Sequence, residues 1–130
     1  MIDVPESHKD LLESQVATLA TIGPSGRPQL TEVWFLYEND SVALSLTTGR
    51  QKTKNLLARP QCSLLILDLA APQRYLELRG EAEVTPDDGS FLAKVDKKYD
   101  ADLRAFDGPG VERVVARIVP RRINAVDMRG

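Results

Sequence analysis

Hydrophobic and polar positions alternate with a period of two along much of this chain, the pattern of strands with one covered face. Arg74 to Thr85 shows it most clearly. Leu76, Leu78 and Gly80 fall on one face, and Tyr75, Glu77, Arg79 and Glu81 on the other. Glycine inside such a run predicts a bulge or a barrel corner at Gly80. Gln15 to Ile22 reads as a strand, followed by the turn Gly23-Pro24-Ser25-Gly26. Pro28 to Tyr37 reads as a second strand, Glu38-Asn39-Asp40 as a turn, and Ser41 to Thr47 as a third strand. Three strands joined by tight turns predict an antiparallel meander. Ser63 to Leu67 is almost continuously apolar, which fits a strand buried on both faces. Val111 to Val119 alternates again, Pro120 interrupts, and Arg122 to Met128 adds a short last strand.

Helices are short. Pro5 to Glu13 has a small apolar face at Leu11 and Leu12, with proline suited to the first turn. A second helix is expected after Gly49, capped by Thr48 or Gly49 and stopped by Pro60. A third helical region runs from Pro86 to about Phe106 and ends at Asp107-Gly108-Pro109-Gly110. Six or seven strands with two or three short helices, and no long βαβ repeat, predict a mainly β fold: a small antiparallel barrel.

The second helix carries its charge the wrong way round. Arg50, Lys52 and Lys54 crowd its start, and no acid lies between Gly49 and Pro60. A helix start repels cations by roughly 0.3–1 kcal/mol per charge. Its free N–H groups also need an acceptor. A bound anion such as a phosphate answers both, through charge-assisted hydrogen bonds of about 1.5–3 kcal/mol each. The third helix serves as a control, because Asp87 and Asp88 open it and Lys97 and Lys98 close it, as the dipole favours. Ser45 and Thr47, on the strand leading into Gly49, share the face beside this corner.

The chain has 130 residues, enough for one domain over 1–130 with a modest core. A net charge of -2 argues against broad nucleic-acid binding, so the basic site is local. No apolar run approaches the roughly 20 residues that span a bilayer, and the N-terminus lacks a signal-peptide pattern. The expected location is the cytoplasm. Cys62 is the only cysteine and His8 the only histidine, which supplies neither a disulfide nor a metal set. His8 is expected at the surface. Glu77 and Glu81 beside Arg79 read as a paired surface rather than a carboxylate dyad. No nucleotide fingerprint, phosphate loop or nucleophile elbow is present. No catalytic side chain stands out, so an enzyme built on this chain would need a cofactor for its hard chemistry.

Five pieces occur in order: Ala20-Thr21-Ile22, Gly26-Arg27-Pro28-Gln29, Val33-Trp34-Phe35, Gly49-Arg50-x-Lys52-x-Lys54-Asn55-Leu56, and Arg74-Tyr75-x-x-x-Arg79-Gly80. The ordered set resembles the split-barrel flavin/deazaflavin oxidoreductases related to pyridoxamine 5′-phosphate oxidase. It is most similar to the branch that uses the deazaflavin coenzyme F420. The resemblance implies a split β-barrel, a homodimer, and two cofactor sites at the dimer interface. It implies that Arg50, Lys52, Lys54 and Asn55 hold the phosphate of the cofactor tail, with Ser45 and Thr47 lining the approach. It places Gln29, Thr31 and Val33 beside the ring system, and Tyr75 near it from one subunit or the other. Trp34 and Tyr75 serve equally as cofactor wall or as packing. The chain departs from the oxidase members in lacking an Arg-x-Val-Leu-Leu-Lys strand, which sets it apart from pyridoxamine phosphate oxidation. The activity implied is hydride transfer between reduced F420 and an unsaturated small organic substrate. The alternative is an FMN-binding split-barrel protein, either a flavin oxidoreductase or a non-catalytic carrier or sensor.

Overall fold

The computed structural model describes residues 3–129. Seven strands run β1 (Ala17–Ile22), β2 (Pro28–Val33), β3 (Leu36–Glu38), β4 (Ser41–Thr47), β5 (Gln61–Leu67), β6 (Arg74–Pro86) and β7 (Arg113–Asp127). Two α-helices, α1 (Gln51–Ala58) and α2 (Ser90–Tyr99), interrupt them, with 3-10 helices at Glu6–Glu13 and Leu103–Phe106. The strands form one antiparallel sheet in the order β2-β1-β5-β6-β7-β4-β3. Its two edge strands are joined by only Trp34 and Phe35, so the sheet curls into a split barrel.

The expected alternation fills the barrel. Leu19, Val42, Leu44, Leu64, Ile66, Leu76, Leu78, Ala116 and Ile118 point inward, each at most 1% exposed. A second, smaller cluster lies outside the barrel, where Phe91 and Val95 of α2 cover Ala43 and Val115. Asp87 accepts hydrogen bonds from the N–H groups of Gly89, Phe91 and Leu92, and Asp88 from that of Ser90. Lys97 and Lys98 lie in the last turn of α2, so its acid-first polarity is as expected. The helix itself is shorter than the predicted region, starting at Ser90 and ending at Tyr99.

Several expectations need correction. The run Pro28 to Tyr37 is two strands on opposite edges of the sheet, not one, so no three-stranded meander forms. At the break, the Phe35 N–H donates to the Tyr99 hydroxyl at 3.0 Å. The Phe35 carbonyl accepts from Lys98 Nζ at 2.7 Å. Side chains from α2 thus satisfy backbone groups that a ladder would otherwise take. Lys98 also lies 4.2 Å over the Phe35 ring, and its burial lowers its pKa. Side-chain parity is kept through the break, with Val33 and Phe35 both buried, which is why alternation alone reads one strand.

Pro120 does not end a strand, since β7 is continuous over fifteen residues. The irregularity expected at Gly80 is present and accommodates Pro120 within the ladder. The register shifts between Arg79 and Gly80, with Arg79 opposite Arg122 and Gly80 opposite Pro120. Arg121 is the extra residue of the bulge. A Cβ on Gly80 would lie 1.9 Å from the Val119 carbonyl oxygen, so only glycine fits. β5 alternates rather than being buried on both faces: Cys62, Leu64 and Ile66 are buried, Leu65 and Leu67 half-buried.

His8 is buried, at 4% exposure, against the expectation of a surface histidine. Its Nε2 lies 3.0 Å from the Val126 carbonyl, which can only accept, so Nε2 carries the proton. Nδ1 then accepts from the Ser7 hydroxyl at 2.8 Å. Beside it Arg74 donates to Asp68, Asp10 and the Ser7 carbonyl, pinning the opening 3-10 helix to β6. Glu77 pairs with Arg79, as the paired-surface reading expected, while Glu81 pairs with Arg121 across the sheet.

Candidate functional site

The chain leaves β4 at Thr47, turns through Thr48 and Gly49, and enters α1. The cap residue is Arg50, with extended backbone at φ -77° and ψ 146°, not Thr48 or Gly49. No side chain caps the helix. The Thr53 hydroxyl, fully buried, donates to the Thr47 carbonyl at 2.7 Å and locks the helix onto the end of β4. The Arg50 carbonyl takes the N–H groups of Thr53 and Lys54. Among the described residues the N–H groups of Gln51 and Lys52 have no acceptor. Two free donors and an acid-free cationic turn therefore open the helix, the arrangement that takes an anion.

This corner opens onto a cleft of about 270 Å³ on the outer side of the sheet. Ser45 and Thr47 of β4 form its floor with Arg113, the first residue of β7. Arg50 and Lys52 add their cations to the lining, and Val95 and Leu103 supply its apolar part. Glu32, Val33 and Trp34 bound the side toward β2. Lys52 has its pKa lowered, first by burial and then by the Arg50 charge beside it. A group held in that state gains from an anion placed between the two cations.

The sequence-derived site residues divide. Val33, Ser45, Thr47, Arg50 and Lys52 line the cleft. Lys54 is exposed on α1 outside the lining. Asn55 is fully buried: its amide donates to Thr21 at 3.0 Å and Gln29 at 3.1 Å, and its carbonyl accepts from Gln51 at 2.7 Å. Asn55 and Gln29 thus tie α1 to the barrel instead of facing the cleft. Thr31 stands opposite Leu19 on the inward face, its hydroxyl oxygen buried with no partner among the described residues. Tyr75 pairs with Leu67 and Val126 and does not line the cleft. Arg59 does not line it either, and its Nε donates to the Ile22 carbonyl at 2.8 Å.

Three contacts at the cleft were not read from the sequence, although Ser45 and Trp34 themselves were singled out there. Arg113 forms a two-point pair with Asp107 at 2.9 and 2.8 Å and holds its carboxyl below the usual carboxylate range. The same arginine donates to the Ser45 hydroxyl oxygen at 3.2 Å. Trp34, 41% exposed, stacks on Tyr99 with ring centroids 4.1 Å apart and planes within 2°. The available signal for Arg113 was an arginine opening an apolar strand, with an acid just across a Gly-Pro-Gly turn.

Among the described residues, no helix is long and apolar enough to cross a membrane, and no three metal-binding side chains gather. Comparison with known proteins agrees with the barrel. A solved structure described as an F420 reductase is 35% identical, with a TM-score of 0.80, over 93% of this chain and 98% of that one. The conserved hypothetical protein Rv2991 from Mycobacterium tuberculosis is 29% identical, with a TM-score of 0.80, over 98% of this chain and 88% of that one. HutZ, a heme storage protein from Vibrio cholerae, shares the fold at a TM-score of 0.77 and 14% identity, covering 96% of each chain. The family model described as pyridoxamine 5′-phosphate oxidase matches residues 4–127. With a seven-stranded split barrel and a family match over nearly its whole length, this chain belongs to the pyridoxamine 5′-phosphate oxidase family.

Proposed function

We propose that this protein is an F420-dependent oxidoreductase that transfers a hydride between the reduced deazaflavin and an unsaturated small organic substrate. The observation that carries this reading is the start of α1. Arg50 and Lys52 reach the cleft, the N–H groups of Gln51 and Lys52 lack acceptors, and no acid is near in sequence. A cofactor tail with a phosphate and further carboxylates satisfies more of this charge than FMN, which ends at its phosphate. The 35% identical structure described as an F420 reductase supports the same choice.

When bound, the deazaflavin would supply the hydride chemistry. The chain's own residues would do the rest. Arg50, Lys52 and the two free N–H groups hold the anionic tail. Val95, Leu103 and Trp34 keep water away from the ring, which strengthens every polar contact in the cleft. A carrier of haem iron finds no support in these residues, because both ring nitrogens of His8, the sole histidine, are already bonded.

The working form in this reading is a homodimer with a cleft at each end of its interface. At about 270 Å³ the cleft is smaller than the roughly 300–1,000 Å³ of ordinary ligand pockets. Beside it, on the outer face of β2, β1 and β5, lie Leu30 at 67% exposure and the half-buried Ala20, Ile22, Leu65 and Leu67. A second copy covering that apolar face would add the missing wall. The test is a side-by-side titration with F420 and FMN at two ionic strengths. Tighter F420 binding that weakens with salt supports the reading. Tighter FMN binding, or protein purified with FMN at full occupancy, refutes it.

A further inference from the structure

We propose that Asp107 and Arg113 are positioning residues that make the Ser45 hydroxyl a one-way donor into the cleft. Its partner there would be an acceptor atom of the bound ring system, a carbonyl oxygen or a deprotonated ring nitrogen. The inference rests on the cleft being a cofactor site.

The geometry is specific. Arg113 stands opposite Thr47 in the β4–β7 ladder, and Ser45 stands opposite Val115. All four residues share the outer face, so Arg113 reaches Ser45 along the diagonal, a separation of roughly 7–8 Å between backbones that a long side chain spans. Asp107 takes Nε and Nη2, which fixes the guanidinium plane and leaves Nη1 for Ser45 at 3.2 Å. Both side chains of the ion pair are only 9% exposed.

A guanidinium has donors and no acceptor. The Ser45 oxygen must therefore accept, and its own proton must point elsewhere. Among the described residues it meets no protein acceptor. Ser45 lines the cleft, so the open direction for that proton is the ligand. A serine without this contact would turn freely and act as donor or acceptor. Arginine removes one choice, and Asp107 keeps the arginine in place. The apolar lining of Val95 and Leu103 makes an unmatched ligand atom costly at that point. Lysine at 113 would lack the fork that engages Asp107 and Ser45 together.

The test is a double-mutant cycle on cofactor affinity in the full chain. Binding of oxidised F420 is read by quenching of Trp34, the only tryptophan. Ser45→Ala is expected to weaken binding about 5–10-fold, and Asp107→Asn about 3–10-fold. The double variant should bind within about twofold of Ser45→Ala alone, because the pair acts through that hydroxyl. Ser45→Thr keeps the donor and should restore affinity to within about threefold of wild type. If Asp107→Asn does not fold, Arg113→Lys takes its place in the cycle. Equal losses from Asp107→Asn with and without Ser45 would overturn the proposal and leave the ion pair as a brace for residues 103–110. The cycle is run with FMN in parallel. Binding of FMN alone refutes the F420 assignment, while the FMN cycle still decides whether Asp107 and Arg113 act through Ser45. Binding of neither cofactor overturns both.

Discussion

Replacing Lys52 by alanine should separate binding from folding. In the free protein Lys52 is half-buried, lies beside Arg50, and sits at a helix start that disfavours cations. Burial first, and Arg50 second, lower its pKa from the usual lysine value. The folded state therefore holds this proton less tightly than the unfolded chain. Below the lowered pKa the charge is a cost to folding, and stability rises with pH until the ordinary lysine pKa is passed. At neutral pH Lys52→Ala removes that cost. From the dipole alone the gain is about 0.3–1 kcal/mol, offset by lost packing of the lysine stem. The expected net change in unfolding free energy is thus within about 0.5 kcal/mol of zero.

Binding should move far more. One charge-assisted contact is worth about 1.5–3 kcal/mol when enclosed, and partial exposure reduces it to about 1–2 kcal/mol. That corresponds to a roughly 5- to 30-fold weaker Kd for F420. The salt dependence should also become shallower, because one cation has left the site. The assay is Trp34 quenching at low and moderate salt, with a melting curve for each variant. Arg59→Ala is the control: its guanidinium braces Ile22, so it should lower stability and leave affinity nearly unchanged. An affinity for Lys52→Ala within about twofold of wild type at low salt would refute the anion-site reasoning, since partial screening cannot absorb a whole charge-assisted contact.

Leu30→Glu should convert the expected dimer to monomer with little loss of fold, because Leu30 is 67% exposed in one chain; light scattering showing an unchanged mass would rule that face out as the interface. Gly80→Ala should destabilise by at least about 2 kcal/mol in urea unfolding, since its Cβ would lie 1.9 Å from the Val119 carbonyl oxygen, a backbone atom that no rotamer change can move aside. Asp10, Asp68 and Asp107 have carboxyl pKa values lowered chiefly by hydrogen bonds from Arg74 and Arg113. Their stabilisation is present above the usual carboxylate range and is lost as pH falls through the depressed values, so stability should drop on acidification below about pH 4. Asp107→Asn should flatten that acid limb, and urea midpoints across the range check it.

Local chemistry carried much of the fold. Alternation placed Leu76 and Leu78 inside and Glu77 and Arg79 outside, because strand parity is a property of the strand itself. The polarity of α2 and the irregularity at Gly80 were legible for the same reason: capping, dipole and missing Cβ act within a few residues. The cationic start of α1 could also be read directly, and the structure adds that two of its N–H groups lack acceptors.

Partner choice was not legible, because it is set by contacts distant in sequence. Phe35 continues the parity of β2, yet Lys98 and Tyr99 take its backbone groups and send the chain to the opposite edge. His8 is buried because a carbonyl 118 residues away meets its ring. Asn55 sits in a motif that resembles a phosphate cradle, but the curl of the sheet brings Thr21 and Gln29 to it first. Tyr75 was expected near the ring from one subunit or the other, and in its own chain the ladder sets it between Leu67 and Val126, outside the cleft lining. Arg113 shows the converse. Nothing in its neighbourhood along the chain names Ser45 as its partner, and only the β4–β7 register, with Asp107 fixing the guanidinium, brings the two together.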